Sequence, residues 1–309
     1  MSLTIDTYDR RYLDAMVKLY NQQTAHEPHI APLSPQFFTD FVETKSYFDP
    51  AGLFIARRNG QVVGWTHASI AHGTEIWHDS EPTHAHIDML IFRREDLSVG
   101  RTLVAEAVKW LKPHGHKTIE GMGAVYGYPF YRGLWVGGER INLVSIPQLH
   151  LAMACEGFTV QGEGSLKTTE FREPPKPTAA AVDTEYPESP LDMKHKTIRE
   201  SWMGFEPMVV KVIVDGQDVG GIGWVLLPYH ASKLGAPCVS IYMLHVSPEQ
   251  RRKGLGVALI SRAFSIAYEQ GARFASVGTE VENVAANMTY EKLGLHTHQL
   301  VSSRQLKLE

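Results

Sequence analysis

One stretch limits the possible folds more than any other. It runs Val246-Ser247-Pro248-Glu249-Gln250-Arg251-Arg252-Lys253-Gly254-Leu255-Gly256-Val257-Ala258-Leu259 and follows an apolar run that begins at Val239. Beyond it, apolar residues recur at Leu255, Leu259, Ala263 and Ile266, which is helical spacing. The reading is a strand, a turn dense in cations and glycines, and a helix. The first N–H groups of a helix have no intrahelical partners, and the macrodipole adds about half a positive charge there. Gly254 and Gly256 lack a Cβ, so a phosphate can approach the backbone closely, and Pro248 fixes the turn before the helix. The stretch is predicted to grip a pyrophosphate.

The spacing narrows which pyrophosphate. Dinucleotide sites use G-x-G-x-x-G and P-loops use G-x-x-x-x-G-K-[ST], whereas this chain has R-x-x-G-x-G. Downstream lies Asn283-x-x-Ala286-x-x-x-Tyr290-x-Lys292-x-Gly294-Leu295. Together, in this order, the two motifs resemble those of the GNAT (Gcn5-related N-acetyltransferase) superfamily. The one departure is Leu295, where that family has Phe. The resemblance implies an acyl-CoA site that includes Arg251, Arg252, Lys253, Gly254, Leu255, Gly256 and Val257 on the loop and helix, with Asn283 and Ala286 along the pantetheine arm. It also implies that backbone groups at Leu244 and Val246, on the fourth strand of the fold, polarise the thioester carbonyl. The co-substrate expected is acetyl-CoA, with no metal.

Of 309 residues, 43% are hydrophobic and 21% charged, and the formal net charge is −4. That balance offers no polyanion-binding signature, so neither nucleic acid nor a membrane is an expected partner. No apolar run is long enough to span a bilayer, and the N-terminus has no signal-peptide h-region. Cys155 and Cys238 have no metal-type spacing and read as buried small hydrophobes in a reduced, cytoplasmic protein. The sequence is compatible with a homodimer.

The segment Arg172–Pro190 carries five prolines and few large aliphatics, so it reads as an extended connector and not a packed element. It separates residues 1–171 from 191–309, and the two parts read alike. In the first, Leu3–Tyr8 is a strand and Arg11–Gln22 a helix, with a short helix near Phe37–Thr44. Leu53–Arg58 and Val62–Ile70 form a hairpin at Asn59-Gly60, followed by strand Ile87–Phe92, helix Val99–Leu111 and strand Thr118–Met122. In the second, Met208–Val214 and Val219–Leu227 flank Asp215-Gly216. Strand Val239–Val246, helix 255–269, strand Arg273–Val277 and helix 284–292 come next. Leu191–Met203 is expected to supply one further helix, and the first part to complete what the second lacks before Met208. The fold class expected is α/β, as two tandem GNAT-like domains, each a central twisted mixed sheet flanked by helices.

The copies are unequal. With Gly256 set against Gly100, Arg251 falls on Glu95 and Gly254 on Ser98. With Leu295 set against Phe158, Tyr290 falls on Met153 and Lys292 on Cys155. A carboxylate where a phosphate should bind is repulsive. The first copy therefore reads as degenerate, and the acyl-CoA site is assigned to residues 191–309.

Acetyl transfer to an amine needs a proton donor for the leaving thiolate and a base for the amine. A thiol has a pKa of about 8.5 and a phenol about 10. By the resemblance, Tyr290 is the general acid; the alternative is a core tyrosine flanked by Met288 and Leu293. A lysine-type amine is neutral at pH 7 about once in 2,500, a deficit of about 4.6 kcal/mol that a base removes. His245, Tyr242, Glu280 and Glu282 are candidates, with His245 favoured for its pKa; a satisfied core histidine is its alternative. Strand alternation is expected to place Tyr242 and Leu244 on one face and His245 on the other. Asn283 also suits a helix N-cap.

Other signals point away from chemistry. His67, His72, His78, His84 and His86 lack zinc spacing and read as solvated loop residues, with substrate contact as the alternative. The run GQDVGGIG sits in a hairpin, not before a crossover helix, so it is not a dinucleotide site. Tyr126, Tyr128, Phe130, Tyr131 and Trp135 line either a substrate groove or a packed loop. Two functions remain: an N-acetyltransferase acting on a small-molecule or peptide amine, and a non-catalytic acyl-CoA-binding sensor or interaction module. Retention of Tyr290 favours the enzyme, because a sensor has no use for a proton donor.

Overall fold

The structure, a computed structural model, describes residues 2–72, 82–121, 130–136, 146–193 and 196–308. The first half contributes β1 (Leu3–Thr7), α1 (Leu13–Gln23), α2 (Pro35–Phe38), β2 (Leu53–Arg58), β3 (Gln61–His72) and β4 (Pro82–Phe92). It continues with α3 (Leu97–Leu111), β5 (Thr118–Gly121), α4 (Pro147–Cys155) and β6 (Thr159–Glu170). The second half contributes β7 (Glu188–Pro190), α5 (Lys196–Ser201), β8 (Met208–Val214), β9 (Gln217–Leu227) and α6 (Ala231–Leu234). Then come β10 (Cys238–Val246), α7 (Leu255–Glu269), β11 (Phe274–Glu280), α8 (Val284–Lys292) and β12 (His296–Lys307). Both expected hairpins form, with positive φ at Asn59 (53°) and Gly60 (77°), and at Asp215 (51°) and Gly216 (75°). Two successive left-handed residues make a turn whose twist matches that of the flanking strands.

The twelve strands of the described residues all join one mixed sheet, in the order β1-β2-β3-β4-β5-β12-β6-β11-β10-β9-β8-β7. The order shows an exchange. β6, from the first half, pairs antiparallel with β11 of the second, and β12, from the second half, pairs antiparallel with β5 of the first. β6 and β12 then pair antiparallel with each other across the middle. Each half thus inserts its last strand between the fifth and last strands of the other. Neither strand was legible as such, because β6 (TVQGEGSLKTTE) and β12 (HTHQLVSSRQLK) lack a clean apolar alternation.

One face of the second half packs α7 and α8 on the sheet, joining Leu255, Leu259, Ala263 and Tyr290 to Ile222, Trp224, Val239 and Ile241. The other face buries Trp202 and Phe205, just after α5, on Val225, Leu227 and Cys238, with Val136 of the first half among them. The expected helix after Leu191 is α5, and the first half does complete this face. Glu200 accepts from Ser46 N and Oγ (3.1 and 2.8 Å), and Arg132 donates to Ser201 O at 3.0 Å.

Three expectations are corrected and one open alternative is settled. The 172–190 segment is packed: Thr178 N donates to Ser261 Oγ at 2.9 Å, Ala180 and Val182 lie on the second core, and Glu188–Pro190 adds an edge strand to β8. Prolines suit that edge because it has one unpaired side. Cys155 is exposed, at the end of α4, and only Cys238 is buried. His67 and His86 are not solvated but buried on β3 and β4, while His78 lies outside the described residues, as do the side chains of His72 and His84. Phe130, Tyr131 and Trp135 belong to the first core, which settles them as a packed loop; Tyr126 and Tyr128 lie outside the described residues.

Candidate active site

β10 and β11 run parallel and pair from Cys238↔Phe274 to Ile241↔Val277. Their mutual register stops there, although β10 continues to Val246 and β11 to Glu280. β10 stays paired with β9 as far as Val246↔Gly220, and β11 with β6 as far as Glu280↔Gly164. The strands therefore part into a wedge, and backbone groups of β10 directed into it have no strand partner among the described residues. Leu244 and Val246 stand on this stretch. A wedge of this kind suits a ligand with amides of its own, since unpaired backbone donors and acceptors are costly when covered by anything apolar.

The wedge begins at a β-bulge, where the register of β10 on β9 shifts between Ile241 and Met243. Tyr242 is the extra residue, and its ring covers Gly223, where a Cβ would stand 2.4 Å from it. The bulge reverses the alternation beyond it. Leu244 faces the α7–α8 side with Ile241, and Tyr242 faces the α5 side, its ring centre 4.8 Å from that of Trp202. The expected sharing of a face by Tyr242 and Leu244 is thereby overturned: an added residue changes the parity of a period-2 strand. His245 lies opposite Gly221, on the same side as Tyr242, and is exposed.

At the wide end of the wedge stands the N-terminus of α7. Gly254 is its N-cap residue, with φ of 84° and no side-chain cap, and the first turn carries no acidic residue. A Cβ on Gly256 would meet no atom within 4 Å, and one on Gly254 would meet only the backbone of Ala180 and Ala181, at 3.7 and 3.8 Å. Arg252 adopts φ of 64°, Arg251 is exposed with Nε donating to Val246 O at 3.1 Å, and Lys253 Nζ donates to Gln250 at 2.7 Å. Leu255 is buried and anchors the helix, while Val257 is half-buried. Ala181 N donates to Lys253 O at 2.9 Å, so the connector walls one side of the loop.

The corresponding helix of the first half is closed. Asp96 caps α3 and accepts from Val99 N at 3.4 Å and from Ser98 Oγ at 2.7 Å, and Arg58 donates to the same carboxylate. Burial pushes the Asp96 carboxyl up, but Arg58, Ser98 and the Val99 N–H together hold it below the usual range. The carboxylate at that helix end is thus Asp96, one residue after the expected Glu95.

α8 borders the wedge from the other strand. Asn283 caps it, accepting from Ala286 N at 3.2 Å, and Ala286 is half-buried against the second core. Tyr290 is 4% exposed, and burial pushes its phenol up to about 12, so it stays protonated throughout the neutral range. Tyr290 and His245 therefore lie on opposite faces of the sheet, with the wedge between them. Glu280 and Glu282 are exposed at the turn before α8. Asp218, held low first by Lys211 at 2.8 Å, is also influenced by His245.

Sequence reasoning missed the residues that hold α8 in place. Asn287 Nδ2 donates to the carbonyls of Glu280, Val281 and Asn283, and its Oδ1 accepts from Ser165 of β6 at 3.0 Å. Lys167 of β6 donates to Glu291 and Thr297, both at 2.7 Å, with 3% of its side chain exposed. No local pattern marks these two β6 residues, because their partners lie more than 120 positions away. Among the described residues no group of three metal-capable side chains occurs, and no helix is long and apolar enough to cross a membrane.

Solved structures share this architecture along its whole length. A tandem GNAT protein from the clavulanic acid biosynthesis pathway, determined without acetyl-CoA, aligns over 99% of this chain and 98% of its own, with TM-score 0.65 and 16% identity. A GCN5-related N-acetyltransferase from Sphaerobacter thermophilus aligns over 99% and 95%, with TM-score 0.67 and 11% identity. A glucosamine N-acetyltransferase region of a fungal multi-domain β-N-acetylglucosaminidase aligns over 99% of this chain and 38% of its own, with TM-score 0.68 and 12% identity. No curated protein matches the sequence. The model of the acetyltransferase (GNAT) family matches twice, at residues 13–131 and 174–295. The chain belongs to the GNAT acetyltransferase family and carries its fold twice in tandem.

Proposed function

We propose that the protein is an acetyl-CoA-dependent N-acetyltransferase whose single catalytic centre lies in the second half. The observation that carries this reading is the contrast between two equivalent helix ends. The end of α7 presents N–H groups without a side-chain cap over open space at Gly256, beside the wedge where β10 and β11 part, whereas the end of α3 is filled by Asp96. An anion is stabilised at the first and repelled at the second.

Bound acetyl-CoA supplies the activated acyl group, and the chain's residues do the rest. The α7 N-terminus with Arg251, Arg252 and Lys253 holds the pyrophosphate. Backbone groups at Leu244 and Val246 orient the thioester in the wedge, and Asn283 and Ala286 flank the pantetheine arm. The wedge joins the two faces, so an amine arriving on the α5 side meets His245, with Glu280 and Glu282 at the rim, while the sulfur faces the α8 side and Tyr290. His245 takes a proton from the amine, directly or through water. Nitrogen then bonds to the acyl carbon, the carbon–sulfur bond breaks, and Tyr290 donates its phenolic proton to sulfur. The acceptor class is a primary amine of a small molecule or peptide.

The test is release of coenzyme A thiol from acetyl-CoA across a panel of amino sugars, polyamines, amino acids and short peptides. Acceptor-dependent thiol release supports the enzyme. Tight acetyl-CoA binding with no release above the hydrolytic background for any amine supports the sensor reading.

A further inference from the structure

The exchange of β6 and β12 puts the ends of these two strands in matched surroundings. After β6, Phe171 N donates to Arg273 O at 2.8 Å; after β12, Leu308 N donates to Lys117 O at 2.8 Å. The two acceptors each follow a left-handed glycine by two residues, Gly271 (φ 100°) and Gly115 (φ 77°). What comes next differs. In the second half the chain turns back beside α7, with the Phe171 ring centre 5.1 Å from that of Phe264 and 6.2 Å from that of Tyr268. Thr178 N donates to Ser261 Oγ at 2.9 Å, and Ala181 N reaches Lys253 O before the helix start at 2.9 Å. An extended, proline-bearing segment thus covers that side of α7. With Gly256 set against Gly100, Ser261, Phe264 and Tyr268 fall on Ala105, Val108 and Lys112. These three line an open cleft of about 1110 Å³ beside α3. Among the described residues no segment takes the connector's place there. Leu306 and Leu308, half-buried against the first core, complete its apolar floor with Val108.

The open cleft also differs in charge. Lys109, Lys112, Lys117 and Lys307 line it, all exposed, where the filled cleft has Ser265, Tyr268, Arg273 and Glu170. The one carboxylate among the lining residues, Glu156, is bound to Arg101 at 2.8 Å, and Lys109 has Glu106 at 3.4 Å. On a chain of net charge −4 this is a local reversal of sign. The dipole at the C-terminal end of α3 accounts for Lys109 and Lys112, but Lys117 and Lys307 stand where β5 begins and β12 ends. The volume exceeds the ~300–1,000 Å³ of most small-molecule sites, and the connector shows that this scaffold holds an extended polypeptide. We propose that the cleft binds an extended, carboxylate-rich peptide segment of a partner protein, laid along α3 as the connector lies along α7. Small aliphatic side chains of the segment sit on Val108, Leu306 and Leu308, and its carboxylates meet the four lysines. A second copy is not the occupant, because its own connector is packed on its own α7.

The test uses the full chain and a displayed library of random peptides about as long as the connector. Selection on the wild type, with counter-selection on a variant carrying Lys112→Glu, Lys117→Glu and Lys307→Glu, should enrich sequences with several Asp or Glu among small aliphatic residues and prolines. By fluorescence anisotropy, an enriched peptide should bind the triple variant at least about tenfold more weakly than the wild type, since each exposed ion pair contributes little and three are reversed. Ala105→Trp narrows the cleft without touching the lysines and should weaken the same peptide. Both variants should keep a Tm near that of the wild type, because all four side chains are exposed. If the triple Glu variant does not fold, Lys112→Gln with Lys117→Gln and Lys307→Gln removes the charges alone and should still weaken the peptide. No acidic enrichment, equal affinity in the charge variants, or undiminished binding by Ala105→Trp would overturn the proposal. So would displacement of the peptide by oligothymidylate of equal charge, which marks a general polyanion patch, or a wild-type dimer that the triple variant dissolves, which makes a second copy the occupant.

Discussion

Cutting the chain between Arg172 and Glu173 leaves every residue in place and breaks one peptide bond, yet the exchange of β6 and β12 gives the cut a calculable consequence. A fragment starting at Glu173 retains β11 but loses β6, its partner from Phe274↔Glu170 to Glu280↔Gly164 along all seven residues of β11. At about 1 kcal/mol net per hydrogen bond, that loss alone is about 7 kcal/mol. It matches the whole stability of many domains, about 5–15 kcal/mol. β12 loses β6 and β5 together, and Leu166 leaves the core that includes Val225 and Leu227. The expected outcome, read by circular dichroism during urea unfolding, is that neither 1–172 nor 173–309 unfolds cooperatively by itself. An equimolar mixture, refolded together, should recover a cooperative transition and the far-ultraviolet spectrum of the whole chain. A cooperative transition for 173–309 alone, at the midpoint of the intact protein, would refute the reasoning.

Two further outcomes follow from the buried groups. Tyr290→Phe removes a proton donor and almost no volume, so turnover at saturating acetyl-CoA should fall by roughly 10²–10⁴ while acetyl-CoA affinity stays within about twofold; a variant keeping more than half of wild-type turnover would remove Tyr290 from the chemistry. His67 and His230 are lowered by burial to about 3, and His29 to about 4 by burial and then His298. Histidines held neutral in the fold contribute stability above the unfolded pKa of about 6.5, and it is lost as pH falls from there toward 3 to 4. Tm should therefore decline steadily below pH 6.5, and a flat Tm between pH 7 and 4 would contradict the burial of these rings.

What the sequence made legible follows from how local its causes are. The Asn59-Gly60 and Asp215-Gly216 turns dictate their hairpins within four residues, and the loop from Pro248 to Gly256 carries its own strand, turn and helix signals. β6 and β12 were invisible because much of what they bury is polar and satisfied at long range, as Ser165 is by Asn287 and Lys167 by Glu291 and Thr297. The bulge at Tyr242 escaped notice for a related reason. A period-2 reading assumes an uninterrupted ladder, and the extra residue is defined only against Gly223 on the neighbouring strand. Asp96 displaced Glu95 as the closing carboxylate because the cap belongs to the residue that can reach Val99 N, a matter of loop geometry and not of alignment. His67 looked like one more solvated histidine until β3 placed it against Tyr131, whose hydroxyl lies 2.9 Å from its Nδ1.

The central claim is that acyl-CoA is held once per chain, at the N-terminus of α7, and isothermal titration with acetyl-CoA tests it directly. The wild type should bind one molecule per chain. Gly256→Asp places a carboxylate at the helix end, its Cβ in open space with no atom beyond its own helix backbone and chain neighbours within 4 Å, and should abolish binding while leaving Tm near that of the wild type. Asp96→Asn in the first half should leave both stoichiometry and affinity unchanged. Binding retained in the Gly256→Asp variant, or two molecules bound per wild-type chain, would contradict the account.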